Sequence, residues 1–467
     1  MNGGNRRVVA VSNRVATPSQ ADQAVGGLAV GVLGALKEHG GIWFGWNGDF
    51  RPDAGGERAP QIEEHGNIRF IGIDLDENDF EGYYNGFSNK VLWPLFHYLL
   101  GFIQYRRGDF EAYLRVNASF AQHVAPFIEA NDLIWVHDYH LIPLASELRK
   151  RGVKQPIGFF LHVPFPGFDV LQALPDRDFL LKALCAYDVV GFQTSRDLAS
   201  FREAASQPEI GARLEDEDHL SIAGRRFSAG VYPIGVDVDA LVRFAVESQG
   251  ESEVTRTLES LRDRQFIVGV DRLDYSKGLQ QRFRSYARLL EKYPETRGTV
   301  SYTQIAPPTR VGVRAYEEIR HELEQTSGEI NGRFALLDWV PLKYINRGIN
   351  RRALMGLLRL ADVGLVTPIR DGMNLVAKEF VASQDPANPG VLVLSELAGA
   401  ALELGDAVLV NPYDIDNVAD GIKRALTMPL DERKQRHRAM MSILRENDIV
   451  AWRDRFVDAL LMSGQKT

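Results

Sequence analysis

Two positively charged side chains follow a short apolar run in the second half of the chain. Arg272 and Lys277 lie in Asp271–Gly278 (DRLDYSKG), directly after Phe266–Val270 (FIVGV). If that run is a strand, both cations stand on a loop at its carboxyl end, where open α/β sheets bind ligands. Fixed Arg and Lys donors can stabilise the negative charge of a departing diphosphate, a task that metal ions often perform. The pattern predicts an anion clamp; the alternative is a solvated loop with surface ion pairs.

A second segment, Thr367–Glu379 (TPIRDGMNLVAKE), combines a strand end, a glycine-containing turn and a helix start. The first N–H groups and the dipole of such a helix can bind a phosphate. Asp371 lies in the turn, where it could accept a hydrogen bond from a sugar hydroxyl. Glu379 comes about two turns into the helix, and its carboxylate suits the vicinal hydroxyls of a ribose. The alternative for Glu379 is an ordinary exposed helix carboxylate.

Polar residues also end two apolar runs of the first half. Asp138 follows Leu133–Val136 (LIWV), and His162 lies near the end of Ile157–Val163 (IGFFLHV). Neighbouring parallel strands deliver their last residues to one edge of a sheet. We therefore expect His162 to hydrogen-bond sugar hydroxyls of a donor, and Asp138 to orient the hydroxyl of an acceptor.

No metal site is predicted from these residues. His137, His140 and His162 could offer imidazoles to zinc, but histidines three apart at a strand end are not a standard ligand spacing, and no H-E-x-x-H motif accompanies them. Asp74 and Asp76 resemble the Asp-x-Asp pair of metal-dependent transferases. They lie in the acidic segment DLDENDFE, which favours a solvated face.

Glycines near the N-terminus could bring the backbone close to a ligand. Ser12-Asn13-Arg14 ends the first predicted strand, and Gly26 and Gly27 then open a helix. These glycines do not form G-x-G-x-x-G, and the chain has no P-loop motif, so neither a dinucleotide nor an ATP site is predicted. We expect the chain to need no cofactor.

Aromatic residues crowd one region of the first half, and their faces suit sugar rings, although such residues more often form core. They are Trp43, Trp46, Tyr83, Tyr84 and Trp93. Arg310, in APPTR after the run VSYTQI, is one more cation at a strand end. Its alternative is a plain surface charge.

Short apolar runs closed by Gly, Pro or Asp alternate with segments of helical spacing, the pattern of βαβ units. The first half offers four strands, Arg7–Ser12, Leu133–Val136, Ile157–Val163 and Val189–Phe192. The second half offers six, Phe266–Val270, Val300–Ile305, Phe334–Leu337, Val363–Thr367, Val391–Leu394 and Ala407–Val410. We predict an α/β protein of two doubly wound domains facing each other across a cleft, divided just after Val231–Asp237 (VYPIGVD).

Bulk properties limit the function classes. The 467 residues exceed what one core usually organises, and 45% hydrophobic with 25% charged residues is the composition of a globular protein. A formal charge of -8 disfavours nucleic acid and anionic membranes as partners. Cys185 is the only cysteine, so no intramolecular disulfide can form. With no long apolar stretch or signal peptide in the sequence, we expect a cytoplasmic protein.

Many motifs in order resemble the bacterial type of trehalose-6-phosphate synthases, from the first strand to about Tyr413. They are SNR, GGLAVG, WFGW, YYNGFSNKVLWP, HDYHL, FFLHVPFP, GFQT, YPIGVD, RLDYSKGL, YTQIAPPTR and LVTPIRDGMNLVAKEF. The family is similar to GT-B glycosyltransferases, which implies two Rossmann-like domains. Applied to this chain, the domains would be residues 1–237 for the acceptor and 238–450 for the nucleotide-sugar, with 451–467 a C-terminal helix returning to the first.

The resemblance implies a role for each candidate residue. Donor binding falls on Gly26, Gly27, His162, Arg272, Lys277, Asp371, Gly372, Met373, Asn374, Leu375, Val376, Ala377, Lys378 and Glu379. Acceptor binding falls on Arg14, Tyr84, Trp93, Asp138 and Arg310. The catalytic set is His162, Asp138, Arg272 and Lys277.

The reaction implied is transfer of glucose from a nucleotide-glucose to glucose 6-phosphate, with retention and without a covalent enzyme intermediate. UDP-glucose is the expected donor, and GDP- and ADP-glucose stay open. A different acceptor, such as glycerol 3-phosphate or an aminocyclitol, and a non-catalytic regulatory subunit are the alternatives. A homo-oligomer is possible.

Overall fold

The computed structural model describes residues 6–15, 27–51, 59–309 and 314–464. The chain forms two compact units. Unit 1 runs to Ile234 and also includes the helix Ile449–Ser463, and unit 2 runs from Gly235 to Asp448. The boundary predicted from the sequence, after Asp237, lies slightly beyond the division between Ile234 and Gly235. Asp237 belongs to unit 2, because its side chain accepts a hydrogen bond from the Ala240 amide (2.9 Å) and caps a helix of that unit.

Unit 1 contains a ten-stranded sheet in the order β3-β4-β2-β1-β5-β6-β7-β10-β9-β8. The strands are β1 Val8–Arg14, β2 Gly41–Phe50, β3 Gln61–His65, β4 Ile68–Leu75, β5 Leu133–His137, β6 Ile157–Phe160, β7 Val189–Phe192, β8 Arg213–Leu214, β9 His219–Ile222 and β10 Arg225–Val231. All pairs from β4 to β10 are parallel, whereas β3, β8 and β9 pair antiparallel at the two edges. The central strands are continuous apolar runs because helices cover both faces of such a sheet.

The helices of unit 1 surround this sheet. The α-helices are Gly27–His39, Glu77–Phe80, Trp93–Phe96, Arg107–Val124, Leu144–Lys150, Phe168–Leu171, Arg177–Leu184, Ser195–Ala205 and Ile449–Ser463, with a π-helix at Glu81–Leu92 and short 3₁₀ turns at Leu100–Phe102, Ala125–Phe127 and Tyr139–Leu141.

Glycines make room for the last helix against the sheet. A Cβ on Gly158 of β6 or on Gly191 of β7 would lie 2.7 Å from the Phe456 ring. A Cβ on Gly31 would lie 2.4 Å from the ring of Trp452. The Ile449–Ser463 helix therefore packs into notches that only glycine leaves open.

Unit 2 contains a six-stranded sheet in the order β13-β12-β11-β14-β15-β16, with every pair parallel. The strands are β11 Gln265–Val270, β12 Val300–Ile305, β13 Leu342–Ile345, β14 Val363–Val366, β15 Val391–Ser395 and β16 Val408–Val410. The α-helices are Val238–Glu247, Ser252–Leu261, Leu279–Lys292, Arg314–Phe334, Arg351–Leu360, Leu375–Ser383, Ile415–Leu426 and Leu430–Glu446, with 3₁₀ turns at Ser248–Gly250, Tyr275–Lys277, Pro294–Thr296 and Gly399–Leu402.

One predicted strand is wrong, and several strands of the structure were not predicted. Phe334–Leu337 is the end of the Arg314–Phe334 helix and the turn after it, and the strand of this region is Leu342–Ile345. The segment up to Phe334 is helical because Ile330 and Phe334 are buried at helical spacing, whereas Leu336 and Leu337 are exposed. β2 and β4 were missed, since glycines and polar residues such as Asn47 and Arg69 interrupt their apolar runs.

Both sheets confirm the α/β class with two parallel-sheet domains. In each sheet the strand order reverses beside the first strand of the unit, between β1 and β5 in unit 1 and between β11 and β14 in unit 2. Ligands of open α/β sheets bind outside the carboxyl ends of the strands at such a reversal. Within the described ranges, no helix combines the length and apolar character needed to span a bilayer.

Candidate functional site

In unit 2, the loop after β11 is pressed against the segment after β14. Gly278 has a φ of 64°, and a Cβ on it would lie 2.6 Å from the carbonyl oxygen of Thr367. The Ile369 amide donates to the carbonyl oxygen of Ser276 (2.9 Å). A side chain on Gly278 would clash with the carbonyl of Thr367, and the positive φ also favours glycine. The two motifs that the sequence indicated separately therefore form one structure.

The two motifs meet through an ion pair between Lys277 and Asp371. The Lys277 ammonium donates to Oδ2 of Asp371, and both side chains are nearly buried. The Asn374 amide donates to the same oxygen (3.0 Å). Arg272, from the same loop as Lys277, has an exposed side chain. The predicted clamp thus consists of one lysine held by a carboxylate and one arginine at the surface.

The helix Leu375–Ser383 begins at this ion pair. Asn374 has a φ of 77°, and its side-chain oxygen accepts from the Ala377 amide (3.3 Å). The first turn contains no acidic residue. Since the first amides of a helix lack intrahelical acceptors, the helix start at Leu375 and Val376 can bind an anion.

The turn before this helix docks onto Gly399 and Ala400. The Gly399 amide donates to the Asp371 carbonyl oxygen (3.1 Å), and the Ala400 amide donates to that of Met373 (2.8 Å). A Cβ on Gly399 would lie 1.9 Å from the carbonyl oxygen of Gly372. These contacts fix the position of the helix start.

Lys378 and Glu379 have different surroundings on that helix. Lys378 is fully buried, and its ammonium donates to Oε2 of Glu403 (2.6 Å), while burial lowers its pKa. Glu379 is 9% exposed, so it is not an ordinary surface carboxylate. Burial raises the pKa of Glu379 to about 7, although the guanidinium of Arg351 at 3.8 Å acts in the opposite direction.

Arg282, which sequence reasoning missed, holds this edge of the sheet together. Its fully buried guanidinium pairs with Asp271 (2.8 Å) and donates to Thr367 Oγ1 (3.0 Å) and Gln304 Oε1 (3.0 Å). It also donates to the carbonyl oxygen of Lys277 (3.3 Å). Burial raises the pKa of Asp271, and Arg282 is the main opposing influence. No motif in the sequence marks Arg282 among the other helix arginines.

In unit 1, Asp138 and His162 meet beyond the ends of β5 and β6. Asp138 has a φ of 74°, and its Oδ1 accepts from the His162 amide (3.2 Å). A positive φ in a residue other than glycine stores backbone strain, which is common at functional sites. Nδ1 of His137 lies 3.3 Å from Nε2 of His162.

Both imidazoles of this pair are neutral. His162 as a residue is partly accessible to solvent, yet burial of its side chain lowers the pKa to about 3. Burial, helped by His162, lowers the pKa of His137 well below its ordinary value. Within the described ranges, no group of three or more His, Cys, Asp or Glu is arranged to hold a metal ion.

An aromatic surface adjoins these residues. Tyr84, on the π-helix, stacks between Phe80 (5.0 Å between ring centroids) and His140 (5.6 Å). Trp93 is buried against His97 (4.2 Å). A π-helix is rare and is often found at functional sites. The partly exposed Tyr84 offers more contact area to a ligand than the buried Trp93.

Arg14 ends β1, and its guanidinium lies over the Trp46 ring, 5.6 Å from the centroid. Because β1, β5 and β6 are adjacent and parallel, Arg14, Asp138 and His162 share one edge of the sheet. Gly27 begins the helix Gly27–His39, whereas Gly26 and Arg310 lie outside the described residues.

The solvated-face reading holds for Asp76, which is exposed, and is wrong for Asp74. Asp74 is buried and accepts from the Asn47 amide (2.7 Å), and Asp76 caps the helix Glu77–Phe80.

A groove of about 390 Å³ lies between the helices Leu279–Lys292 and Arg314–Phe334, and its lining contains none of the predicted site residues.

Known proteins resemble this chain over almost its whole length. A model of glycosyltransferase family 20 matches residues 5–461. The trehalose-6-phosphate synthase of Klebsiella pneumoniae is 51% identical over 454 residues, which covers 97% of this chain and 95% of the relative.

Solved structures are equally similar. A UDP-forming α,α-trehalose-phosphate synthase from Burkholderia xenovorans, in complex with glucose-6-phosphate, has a TM-score of 0.93 and 51% identity, covering 97% of this chain and 100% of that chain. A trehalose-6-phosphate protein from E. coli bound with UDP-2-fluoro glucose has a TM-score of 0.92 and 48% identity, with 97% and 98% covered.

Proposed function

The chain belongs to glycosyltransferase family 20, and we propose that it transfers glucose from UDP-glucose to glucose 6-phosphate, forming α,α-trehalose 6-phosphate and UDP. The observation that carries the proposal is the junction of Lys277, Asp371 and the helix start at Leu375, at the strand-order reversal of unit 2. A lysine, a sugar-binding carboxylate and free helix amides together match a nucleotide-sugar.

Most of the donor residues in this proposal belong to unit 2, whereas Gly26, Gly27 and His162 belong to unit 1. Arg272, Lys277 and the amides of Leu375 and Val376 bind the diphosphate, and Glu379 accepts hydrogen bonds from the ribose hydroxyls. Because the Lys378 ammonium is paired with Glu403, Lys378 contributes through its backbone and by fixing the helix. The remaining residues of the donor set are Gly26, Gly27, His162, Asp371, Gly372, Met373, Asn374 and Ala377.

Most of the proposed acceptor residues belong to unit 1, and Arg310 belongs to unit 2. Arg14 pairs with the phosphate of glucose 6-phosphate, and Arg310 is proposed as a second cation for it. Tyr84 and Trp93 contact the sugar, since aromatic faces suit its C–H surface. Asp138, held by its strained backbone and by the His162 amide, orients the attacking hydroxyl.

The chemistry follows from charge rather than from a nucleophilic side chain. As the bond between glucose and UDP breaks, negative charge grows on the diphosphate, where Lys277 and Arg272 stabilise it. The departing diphosphate accepts the proton of the attacking hydroxyl, which approaches on the same face of the sugar. The product therefore keeps the α configuration. Neutral His162 donates a hydrogen bond to a hydroxyl of the transferred glucose and takes no proton.

A substrate panel tests the proposal. The purified chain is incubated with UDP-, GDP- or ADP-glucose and with glucose 6-phosphate, glycerol 3-phosphate or an aminocyclitol, and both nucleotide release and the anomeric configuration of the product are measured. We expect turnover with UDP-glucose and glucose 6-phosphate. Turnover only with another acceptor would favour a related synthase, and no turnover with any pair would favour a regulatory subunit.

For the compartment, we propose the cytoplasm. Cys185 is buried, and burial raises the pKa of its thiol to about 12, so it is poorly suited to form a disulfide with another molecule. A chain without disulfides fits a reducing compartment. Fractionation of cells that express the protein tests this.

A further inference from the structure

The proposed function gives a role to His162 but none to His137, which lies beside it. His137 is the last residue of β5 and pairs in register with Phe160 of β6. It is fully buried, and its Nδ1 lies 3.3 Å from Nε2 of His162. A buried histidine in contact with a ligand-binding histidine can decide which nitrogen of its neighbour carries the proton.

The two nitrogens in contact share one hydrogen. Since both rings are neutral, either His137 Nδ1–H donates to His162, or His162 Nε2–H donates to His137. The first arrangement leaves a lone pair on Nε2 of His137. The second leaves an N–H group there instead.

The surroundings of His137 distinguish the two arrangements. Its Nε2 is buried and finds no hydrogen-bond partner among the residues that the structure describes. The indole nitrogens of Trp135 and Trp452 are also buried and find no hydrogen-bond partner among these residues. The centroid of the Trp135 ring lies 4.6 Å from that of His137 and 5.0 Å from that of Trp452. This cluster already contains two N–H donors without an acceptor. An N–H group on Nε2 of His137 would be a third buried donor without an acceptor, whereas a lone pair there leaves the number of unpaired donors at two.

We propose that His137 is a positioning residue that donates its Nδ1–H to Nε2 of His162 and thereby fixes His162 as the Nδ1–H tautomer. His162 then presents a donor, and not an acceptor, to the substrate. The group that it recognises must be an oxygen that accepts a hydrogen bond. This inference rests on the proposed function only for the identity of that group, a hydroxyl of the transferred glucose.

Nuclear magnetic resonance tests the tautomer without turnover. The whole enzyme is labelled with ¹⁵N-histidine, and long-range proton–nitrogen correlations are recorded for the wild type, with His162→Ala identifying the signals of His162. We expect the Nδ1–H pattern for His162 in the wild type and its loss or mixing in His137→Phe. An Nε2–H pattern in the wild type would overturn the inference, even if the enzyme makes the proposed product.

A double-mutant cycle tests whether His137 acts through His162. We expect His137→Phe to lower kcat/KM for UDP-glucose by about tenfold in the wild-type background and by less than about twofold in His162→Ala. His137→Asn, whose amide nitrogen falls near the place of Nδ1, should stay within about threefold of the wild type. Equal losses in both backgrounds, or a loss in His137→Asn as large as in His137→Phe, would mean that His137 serves only packing.

Discussion

The carboxyl edges of the two sheets differ in how they hold polar groups. In unit 2 the edge consists of buried charges that compensate each other, Lys277 with Asp371 and Arg282 with Asp271. In unit 1 the edge exposes Arg14 and holds the partly exposed Asp138, but it is otherwise neutral and aromatic, with the His137–His162 pair and the stacked ring of Tyr84. A diphosphate leaving group requires fixed charge, whereas a sugar hydroxyl requires oriented neutral donors. The same strand arrangement thus supports two kinds of binding chemistry.

The largest effect is expected from removing Arg282 from the charged edge of the unit 2 sheet. Arg282→Met leaves Asp271 buried without its main partner, and losing one member of a buried ion pair typically costs about 3–5 kcal/mol. We expect the free energy of unfolding of unit 2 to fall by about that amount, measured by urea denaturation.

A matched control lies on the same helix. Arg288 pairs with Asp416 at the surface (2.8 Å), so Arg288→Met should cost at most about 1 kcal/mol. If the two variants were equally stable, the buried network around Arg282 would not be what holds this edge of unit 2.

Removal of the clamp lysine tests the catalytic role of the charged edge of unit 2. Lys277→Ala takes a positive charge from the proposed diphosphate site, and we expect kcat to fall by about two orders of magnitude or more. Steady-state kinetics with UDP-glucose and glucose 6-phosphate measure this. Lys292→Ala is the control. Lys292 ends the helix that follows Lys277, and it pairs with Asp420 at the surface (2.7 Å). An unchanged rate in Lys277→Ala would refute the clamp.

The two halves should also respond differently to pH. Burial raises the pKa of Glu379 to about 7, so below pH 7 its carboxyl is protonated and accepts ribose hydroxyls poorly. The ionised fraction falls about tenfold between pH 8 and pH 6, and we expect the affinity for UDP-glucose to fall by a similar factor. His162, with a pKa of about 3, stays neutral throughout this range.

Glu379→Gln separates this effect from others. Its affinity for UDP-glucose, measured by calorimetry, should not change between pH 6 and pH 8, whereas the surface variant Glu432→Gln should keep the wild-type dependence. The effect on stability has the opposite sign, because affinity for UDP-glucose rises with pH whereas the stability that Glu379 contributes falls. The folded protein binds the Glu379 proton more tightly than the unfolded chain, so this group lowers the free energy of unfolding as pH rises from about 4.5 to 7. If the affinity of Glu379→Gln for UDP-glucose depended on pH as in the wild type, Glu379 would not belong to the donor site.

The sequence predicted the parallel sheets and the strand-end positions of Lys277, Asp138 and His162 because both follow from local pattern. Runs such as Ile267–Val270 are apolar throughout, and the residue that follows such a strand must lie at its carboxyl edge. The sequence could not predict Arg282, whose burial depends on partners from three other strands or loops. It also misjudged Asp74, since an acidic segment indicates solvent exposure unless a distant partner such as Asn47 is known.

Addition of a chelator has the smallest expected effect. If Lys277, Arg272 and the helix start at Leu375 neutralise the leaving diphosphate, no divalent ion is required, and excess EDTA should leave kcat within about twofold of its original value. The initial rate of UDP release with and without EDTA measures this, and a Mg²⁺-dependent nucleotide transferase assayed in parallel shows that the chelator is effective. A large loss that Mg²⁺ restores would mean that the charges of unit 2 do not suffice. Unit 2 would then need a bound cation to bind the diphosphate, and its contrast with the neutral edge of unit 1 would no longer lie in the side chains alone.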